Sequence, residues 1–123
     1  MIVIIAGSRG ITDIKHVELA ITHSGFIITE EVSGGAPGID RLGENWAYRN
    51  KIPITQFIPE WKKVINHRTV TDRTAGFKRN RDMGDYADAA ILIHDGYSKG
   101  TLNMLEIMQR LNKPFYLLTI NKG

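Results

Sequence analysis

Cysteine is absent from the 123 residues, which excludes disulfide bridges and thiolate metal sites and is compatible with a reducing cytoplasm, the location expected for the chain. Long apolar runs are missing too. The longest, Ile2 to Ala6 and Ala89 to Ile93, are strand-sized, whereas a membrane helix needs about 20 residues. No basic region precedes the first of them and Gly7 ends it, so it lacks the form of a signal peptide, and no membrane partner is expected. Neither repeats nor low-complexity linkers occur, and hydrophobic residues at 42% with charged residues at 24% exclude disorder. His16, His23, His67 and His94 lack metal-ligand spacing. No metal site or cofactor is expected, and Mg2+ would enter only with a phosphate ligand.

Charge is present but unevenly spread. Residues 61 to 81 hold seven Lys/Arg (Lys62, Lys63, Arg68, Arg73, Lys78, Arg79 and Arg81) against Asp72 alone, while the rest of the chain carries nine bases and twelve acids. Such a concentration points to an anionic ligand near this stretch and not to a generally basic surface. Because the remainder is net acidic, the charge distribution argues against nucleic acid as the partner.

The length suits one domain over residues 1–123. Met1 to Ala6 reads as a buried strand, followed by a helix capped at Thr12 or Asp13 and stopped at Ser24-Gly25. Phe26 to Val32 reads as a second strand, and Ile39, Leu42, Trp46 and Ala47 recur at helical spacing from Gly38 to about Asn50. Pro53 and Pro59 bracket a third strand at Ile54 to Ile58. Glu60 to Thr74 has weak periodicity. A helix follows over Ala75 to Tyr86, then a strand at Ala89 to His94, a helix at Thr101 to Leu111 and a last strand at Phe115 to Ile120. Continuous apolar strands alternating with helices predict an α/β fold, a Rossmann-like three-layer sandwich with a five-stranded, mainly parallel sheet and helices on both faces. In such sheets ligands sit at the C-terminal strand ends, near the reversal of strand order.

Ser33, Gly34, Gly35, Ala36, Pro37, Gly38 and Asp40 lie between a strand and a helix start, where absent side chains let backbone amides approach a phosphate. A tight turn alone is the plainer reading. The spacing is neither the dinucleotide fingerprint nor a P-loop. Asp95, Gly96, Ser98, Gly100 and Thr101 repeat the design after the fourth strand, with turn formation and helix capping as the alternative. Gly7, Ser8 and Arg9 end the central first strand, within reach of a bound anion. Asp40 and Glu44, one helical turn apart, are candidates to hold a ribose hydroxyl, a metal or a proton; favourable placement of acids early in a helix is the somewhat stronger reading against catalysis. Arg79 is the candidate for contacting the ligand's charge, with Asn80 orienting it. Trp61 is placed to stack on a base or to anchor its loop.

Gly7-Ser8-Arg9, Ser33 to Asp40, Trp61, Arg79-Asn80-x-x-Met83, Ala87-Asp88 and Asp95 to Thr101 together resemble the YspA-like branch of the SLOG superfamily, over nearly the whole chain and in the right order. That superfamily includes the LOG phosphoribohydrolases, the DprA proteins and sensors of nucleotide signals in bacterial and phage conflict. The resemblance implies a Rossmann-like fold, a nucleotide-derived small-molecule ligand and a homodimer or higher homo-oligomer. Arg79 and Met83 match the phosphoribohydrolase Arg-Lys-x-x-Met motif with Asn80 in the lysine's place. Gly100 and Thr101 match the second motif, but its catalytic glutamate position is Met104. Three functions follow: a sensor or sequestering protein for a nucleotide-derived molecule; an N-glycoside hydrolase using Arg79 with Asp40 or Glu44; and, last, a single-stranded DNA binder. Apolar residues around the helix from Thr101 to Leu111 point to a second subunit as its cover.

Overall fold

The computed structural model describes residues 1–96 and 98–120; Tyr97, inside the second predicted loop, lies outside them. In chain order the elements are β1 (Ile2–Gly7), α1 (Ile14–Ser24), β2 (Glu30–Ser33), α2 (Ile39–Arg49), β3 (Ile54–Gln56), β4 (Lys62–Ile65), β5 (Arg68–Thr71), α3 (Ala75–Tyr86), β6 (Ala89–His94), α4 (Lys99–Arg110) and β7 (Phe115–Thr119). Five strands form one sheet in the order β3-β2-β1-β6-β7, with every pairing parallel. This is the Rossmann-like α/β fold anticipated from the strand and helix alternation.

The apolar runs of β1 and β6 follow from their central position, because a strand covered on both faces must be apolar at every residue. Val3 and Ile5 join Val17, Ile39, Ile91 and Ile93 on the side of α1 and α2. Ile4 joins Leu92, Met83, Met104 and Met108 on the side of α3 and α4. Burial of each such side chain contributes about 2 kcal/mol. Helix ends follow local chemistry: Asp13 accepts from the Lys15 amide at 3.0 Å, and Gly25 closes α1 in the left-handed region at φ 70°.

Three departures from the periodicity have tertiary causes. First, β2 begins at Glu30, because Phe26 and Ile28 pack against the α1 and α2 side of the core and the ladder with β1 opens at the Ile2–Glu30 pair. Second, the weakly periodic segment after β3 contains an antiparallel hairpin, β4 and β5, turned by Asn66 and His67 at φ 51° and 64°. Two successive left-handed residues suit the twist of a hairpin, and the β-branched residues flanking Asn66-His67 were its sequence signal. Third, α4 buries Met104, Ile107 and Met108 and tucks Leu105 and Leu111 against the core, so of its apolar residues only Leu102, at 45% exposure, faces outward. A dimer built on this helix therefore has little apolar surface to use. Among the described residues no helix is long and apolar enough to cross a membrane.

Candidate functional site

Strand order reverses between β1 and β6, and the loops leaving their C-terminal ends diverge around a cavity of about 490 Å3. Its walls are Gly7, Ser8, Arg9 and Gly10 after β1; Ala36 and Asp40 around the start of α2; Arg79 and Asn80 on α3; and Asp95, Ser98, Lys99, Gly100 and Thr101 after β6. Ala6, Met83 and Met104 close its floor, almost wholly buried in the core. The volume is that of a small-molecule site.

Ser8 ties the two central loops together: its Oγ donates to Asp95 Oδ1 at 3.2 Å and accepts from the Asp95 amide at 3.1 Å. Across the cavity, α4 begins with Ser98 Oγ accepting from the Thr101 amide at 3.2 Å and lying 2.6 Å from Thr101 Oγ1. The positive end of this twelve-residue helix thus borders the cavity beside Lys99, a favourable environment for an anion.

The glycine loop is arranged differently from a simple cradle of free amides. Gly35 donates to Ser33 Oγ at 3.1 Å, Ala36 to Asp40 Oδ2 at 3.2 Å and Ile39 to the Ser8 carbonyl at 3.3 Å. Side chains and backbone of the protein itself already take the place of a phosphate at these amides. Ser33, Gly34, Gly35, Pro37 and Gly38 shape the bend without lining the cavity; Gly96, whose amide donates to His94 Nδ1 at 3.1 Å, does not line it either.

Arg79 holds the bend from the other side. Its Nη1 donates to the Gly34 carbonyl at 2.6 Å and to the Phe57 carbonyl at 3.4 Å, while Nε donates to Asn80 Oδ1 at 2.9 Å. Asn80 in turn donates to Asn103 Oδ1 at 3.0 Å and to the Gly100 carbonyl at 3.3 Å, linking Arg79 to the first turn of α4. Burial holds the Arg79 guanidinium below its ordinary range, opposed by Asp40 and reinforced by Arg9, but an arginine stays charged. Asp40 moves the other way. Burial pushes its carboxyl up to about 6 against the pull of the Ala36 and Gly7 amides and of Arg79, with Glu44 adding to the rise.

Glu44 stands behind the loop and outside the cavity lining, where its Oε2 accepts from Ser33 Oγ at 2.5 Å and from Gln56 Nε2 at 2.9 Å. Trp61 is also outside: its ring lies against Gly76 at the start of α3, and its carbonyl accepts from the Asp72 amide. One buried acid escaped the sequence reading altogether. Glu31, inside the stretch read as the second strand, is fully buried, makes no full hydrogen bond among the described residues, and is pushed by burial, then by Glu44 and Asp40, up to about 9 against a weak pull from the Ile5 backbone. Its only sequence signal was an acid at a core-facing strand position. Among the described residues no group of three or more His, Asp or Glu side chains is arranged to hold a metal ion.

The structure superposes on DNA processing protein A from Helicobacter pylori, described by its single-stranded DNA binding mode, with a TM-score of 0.72, 20% identity, 100% of this chain and 67% of that one. It also superposes on DNA processing protein A from Streptococcus pneumoniae, with a TM-score of 0.74, 18% identity, 98% of this chain and 50% of that one. These likenesses establish the fold. They also correct the expectation that set nucleic acid aside as a partner: the same fold serves a single-stranded DNA binder, so a net acidic remainder is no ground for excluding one. A comparison with curated proteins found no match. The YspA, cpYpsA-related SLOG family model matches residues 1–64, which carry the Gly7-Ser8-Arg9 turn, the glycine bend and Asp40, and the chain belongs to that family.

Proposed function

We propose that the protein holds a nucleotide-derived small molecule in the cavity between the β1 and β6 loops, as a sensor or sequestering protein. One observation carries this reading: Arg9, Arg79, Lys99 and the N-terminus of α4 border a single cavity floored by the buried Ala6, Met83 and Met104. The charged groups suit a phosphate, and the buried apolar floor beneath them keeps water from competing for it. Holding is favoured over cleavage because the cavity offers Met104 where the related phosphoribohydrolases carry their glutamate, and Glu44 is engaged elsewhere. Mass spectrometry of the small molecule released on denaturing the purified protein identifies the ligand, and calorimetry then measures its affinity. Arg9→Ala, at an exposed side chain, is expected to weaken that affinity roughly tenfold with an unchanged melting temperature. Release of free base on incubation would instead establish hydrolysis, and unaltered affinity in the variant would remove Arg9 from the site.

A second reading, single-stranded nucleic acid on the hairpin side, is favoured by the exposed cations there. Asp72 engages Lys78 at 2.9 Å and Lys63 at 3.8 Å, whereas Lys62, Arg68 and Arg73 have no ion-pair partner among the described residues. Trp61 and Phe77 are 44% and 51% exposed in the same region. Neutralising three phosphates of a single strand gives a log affinity against log salt slope of about −2. Gel shifts of a labelled oligonucleotide across a salt series should show that slope, flattening when all three cations are changed to alanine. No shift, or one indifferent to salt, ends this reading.

A further inference from the structure

We infer that Asp40 sets the specificity of the cavity by receiving vicinal hydroxyls of a phosphorylated ribose, so that a ribonucleotide is preferred to its 2′-deoxy counterpart. The inference rests on the nucleotide reading of the same cavity and adds which part of the ligand goes where.

Asp40 is only 5% exposed, yet it is part of the cavity wall. Its Oδ2 accepts the Ala36 amide at 3.2 Å, and Arg79 and the Gly7 amide also draw on its charge. An ionised carboxylate has lone pairs beyond these, and every one of them is an acceptor. A phosphate oxygen brought against it is repelled, and the nearby amides of Gly35, Ala36 and Ile39 are already bonded to Ser33, Asp40 and Ser8. This wall therefore favours a neutral part of the ligand that brings hydrogen-bond donors.

The same cavity has a different chemistry at Arg9, at Lys99 and at the first turn of α4, where the Ser98 cap leaves a positive helix end. A phosphate belongs there. Ala6, Met83 and Met104 close the floor between these two walls and are almost wholly buried. In a nucleoside monophosphate the group lying between base and phosphate is the sugar, and its 2′ and 3′ hydroxyls are the neutral donors that a carboxylate binds in pairs. Asp40 is ionised above a pH of about 6, so the preference belongs to neutral and alkaline solution. The titratable groups that bear on Asp40 are Arg79 from α3 and Glu44 from its own helix, both charged at pH 8, and Glu31 from β2, which is still protonated there.

Calorimetry at pH 8 with the four ribonucleoside 5′-monophosphates and their 2′-deoxy forms tests the assignment. A hydrogen bond to a charged group predicts a ribo preference of tenfold or more for whichever base binds, and Asp40→Asn should reduce it to about threefold. Damage to the fold lowers both affinities and leaves their ratio, so the ratio separates recognition from scaffolding, and the native protein alone gives the first measurement. Equal affinity for ribo and deoxy forms, or a ratio unchanged in Asp40→Asn, overturns the role of Asp40 while nucleotide binding stands. Absence of binding by all eight compounds overturns this inference, and the nucleotide reading falls with it if the denatured protein also releases no nucleotide-derived molecule.

Discussion

Replacing Glu31 with leucine should stabilise the protein by about 3 kcal/mol at pH 7.5, and by more at pH 8.5. Both carboxyl oxygens of Glu31 are buried with no full hydrogen bond among the described residues, the Ile5 backbone giving only a weak pull, and Gly43 packs so closely that a side chain there would meet Ile5 and come near Glu31. The folded protein keeps the proton up to about 9, whereas the unfolded chain releases it near 4.5. Below that lower value both states are protonated and the group has no pH-dependent effect. As pH rises through the window the unfolded state is increasingly favoured, by about 1.4 kcal/mol per unit, until the folded state also ionises. Asp40 acts with the same sign over a narrower window, from 3.8 to about 6. Urea unfolding of the native protein should therefore give lower stability at pH 8.5 than at pH 5.5, and Glu31→Leu should shrink that difference. Native stability that rises with pH over this range, or a leucine variant equally destabilised at both values, would contradict the burial of an uncharged Glu31.

An alanine at Gly38 is expected to cost about 3 kcal/mol, lowering the melting temperature by roughly 10 °C, and to abolish ligand binding. Gly38 has φ 80° and ψ −129°, a conformation closed to side chains, and an added Cβ would lie 2.4 Å from the Ser8 carbonyl oxygen and 2.5 Å from that of Arg9. Both neighbours are backbone, so neither can swing aside. Relief requires the β1 loop to move off the glycine bend, which breaks the 3.3 Å bond from the Ile39 amide to Ser8 and shifts the Ser8–Asp95 link at the cavity. Gly25 supplies the comparison: it shares the positive φ, at 70°, but has open space around its missing Cβ. Gly25→Ala should lose only about 1 kcal/mol. Gly25 at ψ 5° is an ordinary left-handed glycine, so calorimetric melting of the two variants measures the joint cost of the excluded conformation and the loop contact at Gly38 over that of a plain left-handed turn. Similar losses in both would mean that the apposition of the two loops carries no energy of its own.

Much of this architecture was legible before any tertiary contact was known. The apolar runs in β1 and β6 and the ends of α3 were readable because each depends on residues within a few positions of one another. The loops holding the cavity were readable for a related reason: a parallel sheet puts them at the C-terminal strand ends whatever their detailed shape. The hairpin at Lys62 to Thr71 was missed because its strands are exposed on nearly every residue, so no alternation of apolar and polar marks it. Trp61 was readable as either base platform or anchor, and the choice depends on α3, which the sequence does not place beside it.

The sequence by itself determined the five sheet strands and four helices, their parallel arrangement, the family and the short list of loops around the site. Tertiary structure alone decided which polar atom meets which. Arg79 reaches a carbonyl 45 residues away in the glycine bend, Ser8 meets Asp95 across 87, and Glu31 is buried with no full hydrogen bond among the described residues. Periodicity reports the face on which a side chain lies. Its hydrogen-bond partner depends on strand register and on how closely distant loops approach, and these are set by the packing of the whole sheet.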